Sequence, residues 1–389
     1  MKEGWKLIKL DELCVIERGG SPRPIDAFLT ADADGINWIK ISDATASGKY
    51  IYKTEQKIKP EGAKRSRIVN EGDFILSNSM SFGRPYIMKT NGCIHDGWLV
   101  LRQPKVNPDY LYLVLGSDFV YQQFDRLASG STVRNLNIGL VKSVEIPVPS
   151  ELEQQRIVAI LDAAFEAIAA ARANAEQNRQ NARALFESYL QSVFSQRGNG
   201  WVEKTLGDIG KVSMCKRVLK EQTSAIGDIP FYKIGSFGKK ADSFISTELY
   251  SKYKEKYSFP KKGDILLSAA GTIGRRVIFD GNDAYFQDSN IVWIANDQTQ
   301  VLNCFLYHFY GACEWNATKG ATILRLYNDD LRRIVIAFPT SLDVQKSIAA
   351  QMDLIFDATQ RLESLYQRKI SALDELKQSL LQQAFSGQL

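Results

Sequence analysis

The sequence predicts an α+β protein built from two mixed α/β domains and two long helices that pair as a coiled coil. Two observations lead to this prediction. Framework motifs recur in the same order at a displacement of 190 to 196 residues, and two stretches carry small or apolar side chains at strict 4,3 spacing. Duplicated motifs indicate duplicated units and sustained heptads indicate a coiled coil, so we expect α/β domains over 1–150 and 198–340 and long helices over 151–197 and 341–389.

The repeat covers the whole chain of 389 residues. Its displacement drifts by only a few residues, as small insertions in surface loops would produce. The matched segments are Trp5–Leu13 and Trp201–Ile209, Trp38–Ser42 and Phe231–Gly235, Gly72–Ser77 and Gly263–Ser268, Gly83–Arg84 and Gly274–Arg275, Gly130–Val133 and Gly320–Ile323, Ile146–Pro149 and Ile336–Pro339, and Ser188–Ser195 and Ser379–Ser386. Because so many segments match in the same order, we predict that the chain consists of two copies of one structural unit.

Each α/β domain combines short strands and short helices. Gly-Asp turns at 72–73 and 263–264 predict the strands Phe74–Leu76 and Ile265–Leu267. Short helices are expected over Tyr110–Leu115 and Cys304–Tyr310. Ile146–Pro149 is expected to end the first domain, because proline cannot continue a central strand.

The second part of each unit is predicted to be one uninterrupted helix. Ser150 and Glu153 form a capping-box pattern, and Thr340 with Asp343 is placed as the second cap. The predicted seam residues are Ile157, Leu161, Ile168 and Leu185 in the first helix and Ile348, Ile355, Leu362, Leu373 and Leu380 in the second. Each rod would be roughly 65–70 Å long. The first seam is rich in alanine and the second in larger side chains, so the helices are expected to pair; the alternative is that each packs on its own domain.

Composition bounds the class of protein. The chain is 44% hydrophobic and 24% charged, typical of a soluble globular protein. No segment approaches the ~20 apolar residues of a membrane span, and the N-terminus lacks a signal-peptide core, so a cytoplasmic protein is expected. The five cysteines form no Cys-x-x-Cys pair and there are only two histidines, so we expect no metal site.

The net charge of +5 is distributed unevenly. The predicted α/β domains carry +3 and +4, whereas each long helix carries −1. A basic excess on the two domains is compatible with binding nucleic-acid phosphates, although it is weak evidence alone.

Two variable α/β domains, each followed by a similar long helix, resemble the specificity subunit of type I restriction–modification enzymes. The resemblance covers essentially the whole chain. Its most specific matches are Gly72–Ser77, Gly263–Arg275, Ile146–Pro149 followed by Gln154–Val158, and the terminal Ala384–Leu389. The second helix departs from the family's usual Gln-Gln-x-Ile pattern with Gln345-Lys346-Ser347-Ile348.

The resemblance implies that each α/β domain is a target recognition domain that reads one half of a bipartite, asymmetric DNA sequence. It implies that the helices pair antiparallel, fix the spacer and dock two modification (methyltransferase) subunits, which transfer methyl groups from S-adenosylmethionine to adenine N6. Restriction (nuclease/translocase) subunits using ATP and Mg²⁺ would complete the enzyme. The chain itself would bind double-stranded DNA and these subunits, hold no cofactor and occupy a bacterial or archaeal cytoplasm without membrane contact.

Candidate DNA contacts lie in polar, glycine-punctuated loops, because bases are read by Arg, Lys, Asn or Gln and phosphates by Lys, Arg and Ser. They are Ser21, Arg23, Lys40, Asn78, Ser79 and Arg84 in the first domain and Lys216, Arg217, Lys233, Ser268, Thr272 and Arg275 in the second. Lys40 and Lys233 match between the copies, so a phosphate contact and a scaffold ion pair remain equally open. For each arginine, a solvated surface role is an equal alternative.

Two short motifs are candidates for a catalytic role. Asn107–Tyr110 is similar to the Asn-Pro-Pro-Tyr motif of adenine methyltransferases, but the second proline is missing, and Asn107 is expected to cap the helix that Pro108 begins. His95-Asp96 suggests a base and its orienter, yet the repeat has Gln287 in place of His95. We therefore predict no catalytic residue. The alternatives are a stand-alone adenine DNA methyltransferase and a coiled-coil protein scaffold.

Overall fold

The computed structural model describes residues 2–78, 83–128, 136–196, 198–315, 318–319 and 324–389. Its contacts group into two compact units. The first unit is Met1–Glu176 with Arg368–Leu389, and the second is Gln177–Gln367. Each unit therefore contains a globular part and a segment of both long helices. The matched segments Gly130–Val133 and Gly320–Ile323 lie outside the described residues.

The first unit contains two five-stranded sheets and one two-stranded sheet. In spatial order, one large sheet is Val15–Arg18, Trp98–Arg102, Phe74–Ser77, Pro85–Met88 and Tyr50–Ile51, and the other is Leu29–Thr30, Gln56–Ile58, Ile36–Ile39, Gly92–Ile94 and Arg67–Val69. The small sheet pairs Lys6–Lys9 with Glu145–Val148. The predicted strand at Phe74 is confirmed.

The second unit repeats this framework with fewer strands. Its larger sheet is Gly210–Ser213, Ile291–Asn296, Ile265–Ser268 and Arg276–Ile278, and its second sheet is Phe244–Ile245, Ile229–Tyr232 and Tyr285–Phe286. Two-stranded sheets pair Trp201–Thr205 with Val335–Pro339 and Thr318–Lys319 with Leu324–Arg325. In both units the second sheet contains one parallel pair at the matched position, Ile36–Ile39 with Gly92–Ile94 and Ile229–Tyr232 with Tyr285–Phe286.

The helices complete both units. The α-helices are Leu10–Leu13, Ile41–Thr45, Pro60–Ala63, Pro108–Leu115, Asp118–Ala128, Ile138–Lys142, Glu151–Phe194, Leu206–Ile209, Thr247–Lys256, Asn303–Ala312, Asn328–Arg333 and Leu342–Ser386, with 3₁₀ turns at Ile25–Ala27 and Lys220–Gln222. The two predicted short helices are confirmed as Pro108–Leu115 and Asn303–Ala312. None of the helices in the described ranges is long and apolar enough to cross a membrane.

The opening and closing motifs of each repeat pair with each other. Leu7 lies opposite Pro147 in the first unit, and Trp201 lies opposite Pro339 in the second. Proline is tolerated here because a two-stranded sheet leaves an edge on which no partner needs its missing N–H. The segment expected only to end the domain is therefore itself a strand.

The first long helix begins where predicted but forms only the serine half of the predicted capping box, and the second helix begins with a different cap. The hydroxyl of Ser150 accepts from the Glu153 N–H at 3.4 Å, while the Glu153 carboxylate accepts from Arg156 and Lys2. In the second copy it is Ser341 that accepts, from the Val344 N–H. The predicted cap at Thr340 is wrong, because the Thr340 N–H and hydroxyl both donate to the carbonyl of Gly200.

A buried glutamine ties each long helix to its globular part. The Gln154 side chain accepts from the Asn107 N–H at 2.8 Å and donates to the Pro149 carbonyl at 3.0 Å. Gln345 accepts from the Leu302 N–H at 2.8 Å and donates to the carbonyls of Gln300 and Pro339. The second copy therefore keeps the structural glutamine of its motif and departs only at neighbouring exposed positions.

The long helices run antiparallel within each unit. In the first unit Arg172 pairs with Asp374 at 3.2 Å, and the Lys377 ammonium lies 5.0 Å from the centre of the Phe165 ring. Residue numbers therefore rise along one helix in the direction in which they fall along the other. This is the antiparallel pairing that the resemblance implied.

The same order holds in the second unit, where Arg179 donates to Gln367 and the rings of Phe186 and Phe356 lie 5.3 Å apart. Both helices also join the globular cores. Leu161 and Phe385 belong to the core of the first unit, and Phe194 belongs to that of the second. The predicted pairing and its alternative, packing on the domains, are therefore both present.

The seam follows the prediction at first and then shifts by one residue. Ile157, Leu161 and Ile168 are buried, whereas Leu185 is 69% exposed and Leu362 is 42% exposed. The prediction is wrong at these two leucines, and Phe186 is buried instead. An α-helix has 3.6 residues per turn, so a strict 3.5-residue pattern drifts off the buried face. The remaining predicted seam residues, which are half-buried, are Ile348, Ile355, Leu373 and Leu380.

Candidate nucleic-acid interface

Polar side chains gather at one end of the larger sheet of the first unit. The strands that end in Arg18 and Ser77 flank the strand that begins at Trp98, with Arg18 opposite Leu99 and Ser77 opposite Trp98. Antiparallel pairing therefore brings three loops together. Gly19 belongs to this end, because a Cβ there would lie 2.0 Å from the His95 carbonyl oxygen.

Asp96 is the centre of these loops. Its carboxylate accepts from the Ser21 hydroxyl at 2.5 Å and lies 3.6 Å from the Arg23 guanidinium. Its backbone carbonyl accepts from the Arg18 guanidinium at 3.2 Å and from the Asn78 side-chain amide at 2.8 Å. We call Arg18, Ser21, Arg23, Asn78 and Asp96 the Asp96 cluster. Three predicted DNA contacts thus converge on one residue.

The electrostatics of the cluster favour an ionised acceptor beside exposed donors. The hydrogen bond from Ser21, together with the nearby Arg23 charge, holds the pKa of Asp96 below its usual range. Arg23 is largely exposed and Asp96 is half exposed. A carboxylate can accept from a base amino group, and a guanidinium can donate to a base edge or a phosphate.

Lys40 and Arg84, the other described candidates of the first domain, have different side-chain partners. Lys40 lies 3.5 Å from the Glu55 carboxylate, which gives it the scaffold ion pair. The Arg84 guanidinium lies over the ring of Tyr86 and lines a cavity that also includes Phe165 of the first long helix. Ser79 lies outside the described residues.

The matched end of the second unit has different chemistry. Lys216 and Arg217 are exposed, and the Lys216 ammonium lies 5.1 Å from the centre of the Tyr257 ring. The Tyr285 hydroxyl fixes this loop by donating to the Lys216 carbonyl at 3.1 Å. Lys233 is half-buried and has no carboxylate partner within the ranges that the structure describes.

The predicted turn after Ser268 is largely scaffold. The Ser268 hydroxyl donates to the Thr272 carbonyl and accepts from the Arg275 N–H at 2.9 Å. The Arg275 guanidinium donates to the Phe237 carbonyl at 2.9 Å. Of the three predicted contacts in this turn, Thr272 is the exposed one.

Two of the predicted DNA contacts are buried. The side chains of Asn78 and Ser268 are each 1% exposed. Enclosed side chains do not offer their polar atoms to DNA, so the structure favours a scaffold role for both.

Sequence reasoning missed Asp96 as the organiser of its loops. The usable signal was the repeat, in which His95-Asp96 matches Gln287-Asp288. Asp288 occupies the corresponding loop, and its charge helps to raise the pKa of Cys215, where burial is the main cause. An acidic residue that persists at a loop of both copies indicated a shared structural position.

The residues of the two candidate catalytic motifs have structural contacts. Asn107 accepts from the N–H groups of Asp109 and Tyr110, both at 3.0 Å, which confirms the predicted cap. The buried Tyr110 hydroxyl donates to the Pro147 carbonyl at 2.8 Å. His95 accepts from the Gly97 N–H at 2.9 Å, and burial lowers its pKa. Among the described residues no three His, Cys, Asp or Glu side chains lie together as metal ligands would.

The duplicated fold and its loop ends define a class of two-domain proteins with paired long helices. The chain belongs to the family of type I restriction modification DNA specificity domain proteins. The family's domain model matches it twice, over residues 2–177 and 198–371.

Similar proteins carry the same description. A Haemophilus influenzae protein described as a type I restriction enzyme specificity subunit is 45% identical over 254 residues, a match that spans 64% of each chain and so just under two thirds of that relative. The type I restriction enzyme MjaIX specificity subunit of Methanocaldococcus jannaschii is 24% identical over 416 residues, covering 99% of this chain and 93% of that one.

Two solved structures share the fold. One, from a study of complex assembly and conformational transition of the type I R-M system, covers 100% of this chain and 99% of its own at 19% identity, with a TM-score of 0.81. The HsdS subunit from Thermoanaerobacter tengcongensis covers 100% and 98% at 20% identity, with a TM-score of 0.63. The predicted architecture, two α/β domains with two long helices, is confirmed.

Proposed function

We propose that this chain is the non-catalytic DNA-recognition subunit of a type I restriction–modification enzyme, in which each α/β domain reads one half of a bipartite, asymmetric target. The observation that carries the proposal is one framework used twice with different loop chemistry at the same end. The first domain presents a carboxylate with arginines, and the second presents Lys216 and Arg217. Different donor and acceptor sets on one scaffold suit two different half-sites.

The long helices set the spacer between the half-sites and dock two methyltransferase subunits. Their exposed apolar side chains support protein binding. Leu354 is 71% exposed, Leu365 is 51% exposed and Leu362 is 42% exposed. Their spacing of eight and eleven residues places them on about one helix face. Such an exposed apolar face is typical of a partner-binding surface.

The chemistry belongs to the partner subunits in this proposal. The methyltransferase subunits bind S-adenosylmethionine and modify adenine N6, and the restriction subunits use ATP and Mg²⁺. The segment Asn107–Tyr110 is similar to a methyltransferase motif, but its contacts support a structural role. Asn107 caps a helix, and the hydroxyl of Tyr110 is buried.

Methylome sequencing tests this function. In a host that carries the chain and its methyltransferase partner, deletion of the chain should abolish adenine methylation at one motif with two specified blocks and an unspecified spacer. Methylation of all other motifs should stay unchanged and serves as the control. Retention of every motif, or tight binding of S-adenosylmethionine by the isolated chain, would contradict the proposal.

Asp96→Ala is expected to weaken recognition of one half-site only. The substitution removes the acceptor of Ser21 and the charge partner of Arg23, so the loop that carries these two residues loses its side-chain contacts to Asp96. Loss of a good base contact costs about 1–3 kcal/mol, which is roughly 5- to 150-fold in affinity. The measurement is competition between duplexes altered in one half-site or the other.

Asp288→Ala is the matched control, because it changes the corresponding loop of the second domain. It should weaken the opposite half-site. If both variants affected the same half-site, the assignment of one domain to each half would be wrong.

A further inference from the structure

A pocket of about 320 Å³ lies between the globular part and the long-helix segments of the first unit. Its charged lining residues are Lys49, Arg84, Asp162 and Lys377, and its aromatic walls are Tyr112 and Phe165. This volume is at the lower end of the range for small-molecule sites. The DNA-recognition function proposed above does not use it.

The repeat supplies an equivalent position in the second unit, and there the space is filled by the chain itself. Tyr112 and Gly116 correspond to Tyr307 and Gly311 in the matched short helices. The guanidinium of Arg276 lies 4.5 Å from the centre of the Tyr307 ring and so close to Gly311 that a Cβ there would lie 2.6 Å from it. The first unit has Pro85 where the second has Arg276.

Two further residue differences fill the pocket position in the second unit but not in the first. His308 bonds to Asp353 at 2.8 Å, whereas the first unit has Leu113 opposite Asp162. Phe186 packs on Phe356 at 5.3 Å, and its counterpart in the first unit is Lys377. The first unit therefore has Pro85, Leu113 and Lys377 in place of an arginine, a histidine and a phenylalanine, and these three residues line a cavity.

The charges of the open pocket favour an anion. Lys49 is already paired with Asp109 and lies 4.9 Å from the centre of the Tyr112 ring. Arg84 and Lys377 have no carboxylate partner within 4.0 Å in the part of the chain that the structure describes. A phosphate monoester carries a charge of about −1.5 to −2 near neutral pH, which matches the charge of these two cations. Asp162 provides an acceptor for a donor group on the rest of the ligand.

We propose that this pocket binds a small aromatic phosphomonoester, of which a nucleoside monophosphate is one example. The phosphate lies between Arg84 and Lys377, and the ring packs against Phe165 and Leu381. Binding is confined to the first unit, because Arg276 and Phe186 occupy the equivalent space in the second.

Calorimetric titration of the full chain with phenyl phosphate, AMP and inorganic phosphate tests the proposal. We expect one site per chain, with phenyl phosphate and AMP binding several-fold more tightly than inorganic phosphate because the ring adds apolar contact. Removing both cations, Arg84→Gln with Lys377→Gln, should weaken binding about tenfold or more, since charge-assisted hydrogen bonds are lost. Lys377→Phe copies Phe186 and should abolish binding while the pocket fills.

The charge-matched control is Arg361→Gln with Lys369→Gln, which removes two exposed cations of the same helix outside the pocket and should leave the affinity unchanged. Thermal unfolding checks that each variant folds. Equal loss in the control, or no saturable binding of any probe by the native chain, would overturn the proposal. If the native chain bound none of the probes and the Arg84 variant lost DNA affinity, Arg84 would be a backbone contact to DNA and the pocket would not be a ligand site.

Discussion

Gln345→Leu is expected to destabilise the second unit by about 3 kcal/mol, because each buried polar group left without a partner costs about 1–3 kcal/mol. The Gln345 side chain is fully buried and makes three hydrogen bonds, one from the Leu302 N–H and two to the carbonyls of Gln300 and Pro339. Leucine fills similar volume but satisfies none of these groups. The free energy of unfolding, measured by urea denaturation, gives the loss.

Gln154→Leu should cost less, about 2 kcal/mol, because its side chain makes two such bonds, to Asn107 and Pro149. Gln155→Leu is the control, since Gln155 is exposed on the same turn and its substitution should stay within about 0.5 kcal/mol. Equal effects of Gln345→Leu and Gln155→Leu would show that the buried glutamine does not hold the helix to the domain.

Removing one matched heptad from each long helix is expected to shorten the DNA spacer by about three base pairs. Arg172 pairs with Asp374, so deletion of 173–179 and 367–373 takes facing segments from the two antiparallel helices. Seven residues are about 10 Å of helix, and one base pair of DNA rises about 3.4 Å. Seven residues are also close to two full turns, so the buried faces stay aligned.

Deletion of 173–179 alone is the informative control. It moves the two ends of one helix closer while the partner helix keeps its length, so Arg172–Asp374 and Phe186–Phe356 cannot both form in register. Loss of folding or of subunit assembly is expected. If the single deletion behaved like the paired deletion, the helices would not act as one rod.

The sequence identified the architecture because duplication and helix periodicity are local, repeated signals. The strand at Phe74, the helix capped by Asn107 and both long helices all follow from residues within a few positions of one another. The same signals do not fix details that depend on tertiary contacts. Thr340 and Ser341 are both suitable caps, and the bond from Thr340 to Gly200 decides between them.

The candidate site was harder to predict from the sequence than the architecture, for a physical reason. Asp96 gathers Ser21, Arg18 and Asn78 from loops that lie 18 to 78 residues away in the chain, and only strand pairing brings them together. The buried state of Ser268 likewise follows from a tight turn rather than from its residue type. Residue chemistry predicted polar loops, but burial decided which side chains remain available.

The register of the coiled coil also depends on tertiary contacts that the sequence pattern does not show. Heptad spacing predicted the buried positions near Ile157 but placed Leu185 and Leu362 in the seam, where both are exposed. Leu362 instead forms part of the surface proposed to bind partner subunits. Periodicity alone does not distinguish an apolar side chain that is buried between the two helices from one that is exposed and contacts another protein.

The length of the unspecified spacer in the methylated motif tests the central claim most directly. Methylome sequencing of cells carrying the paired heptad deletion should return the same two specified blocks, separated by about three fewer base pairs. An unchanged spacer, or a change in the specified bases themselves, would contradict the claim that the two α/β domains read the half-sites while the paired helices measure the distance between them.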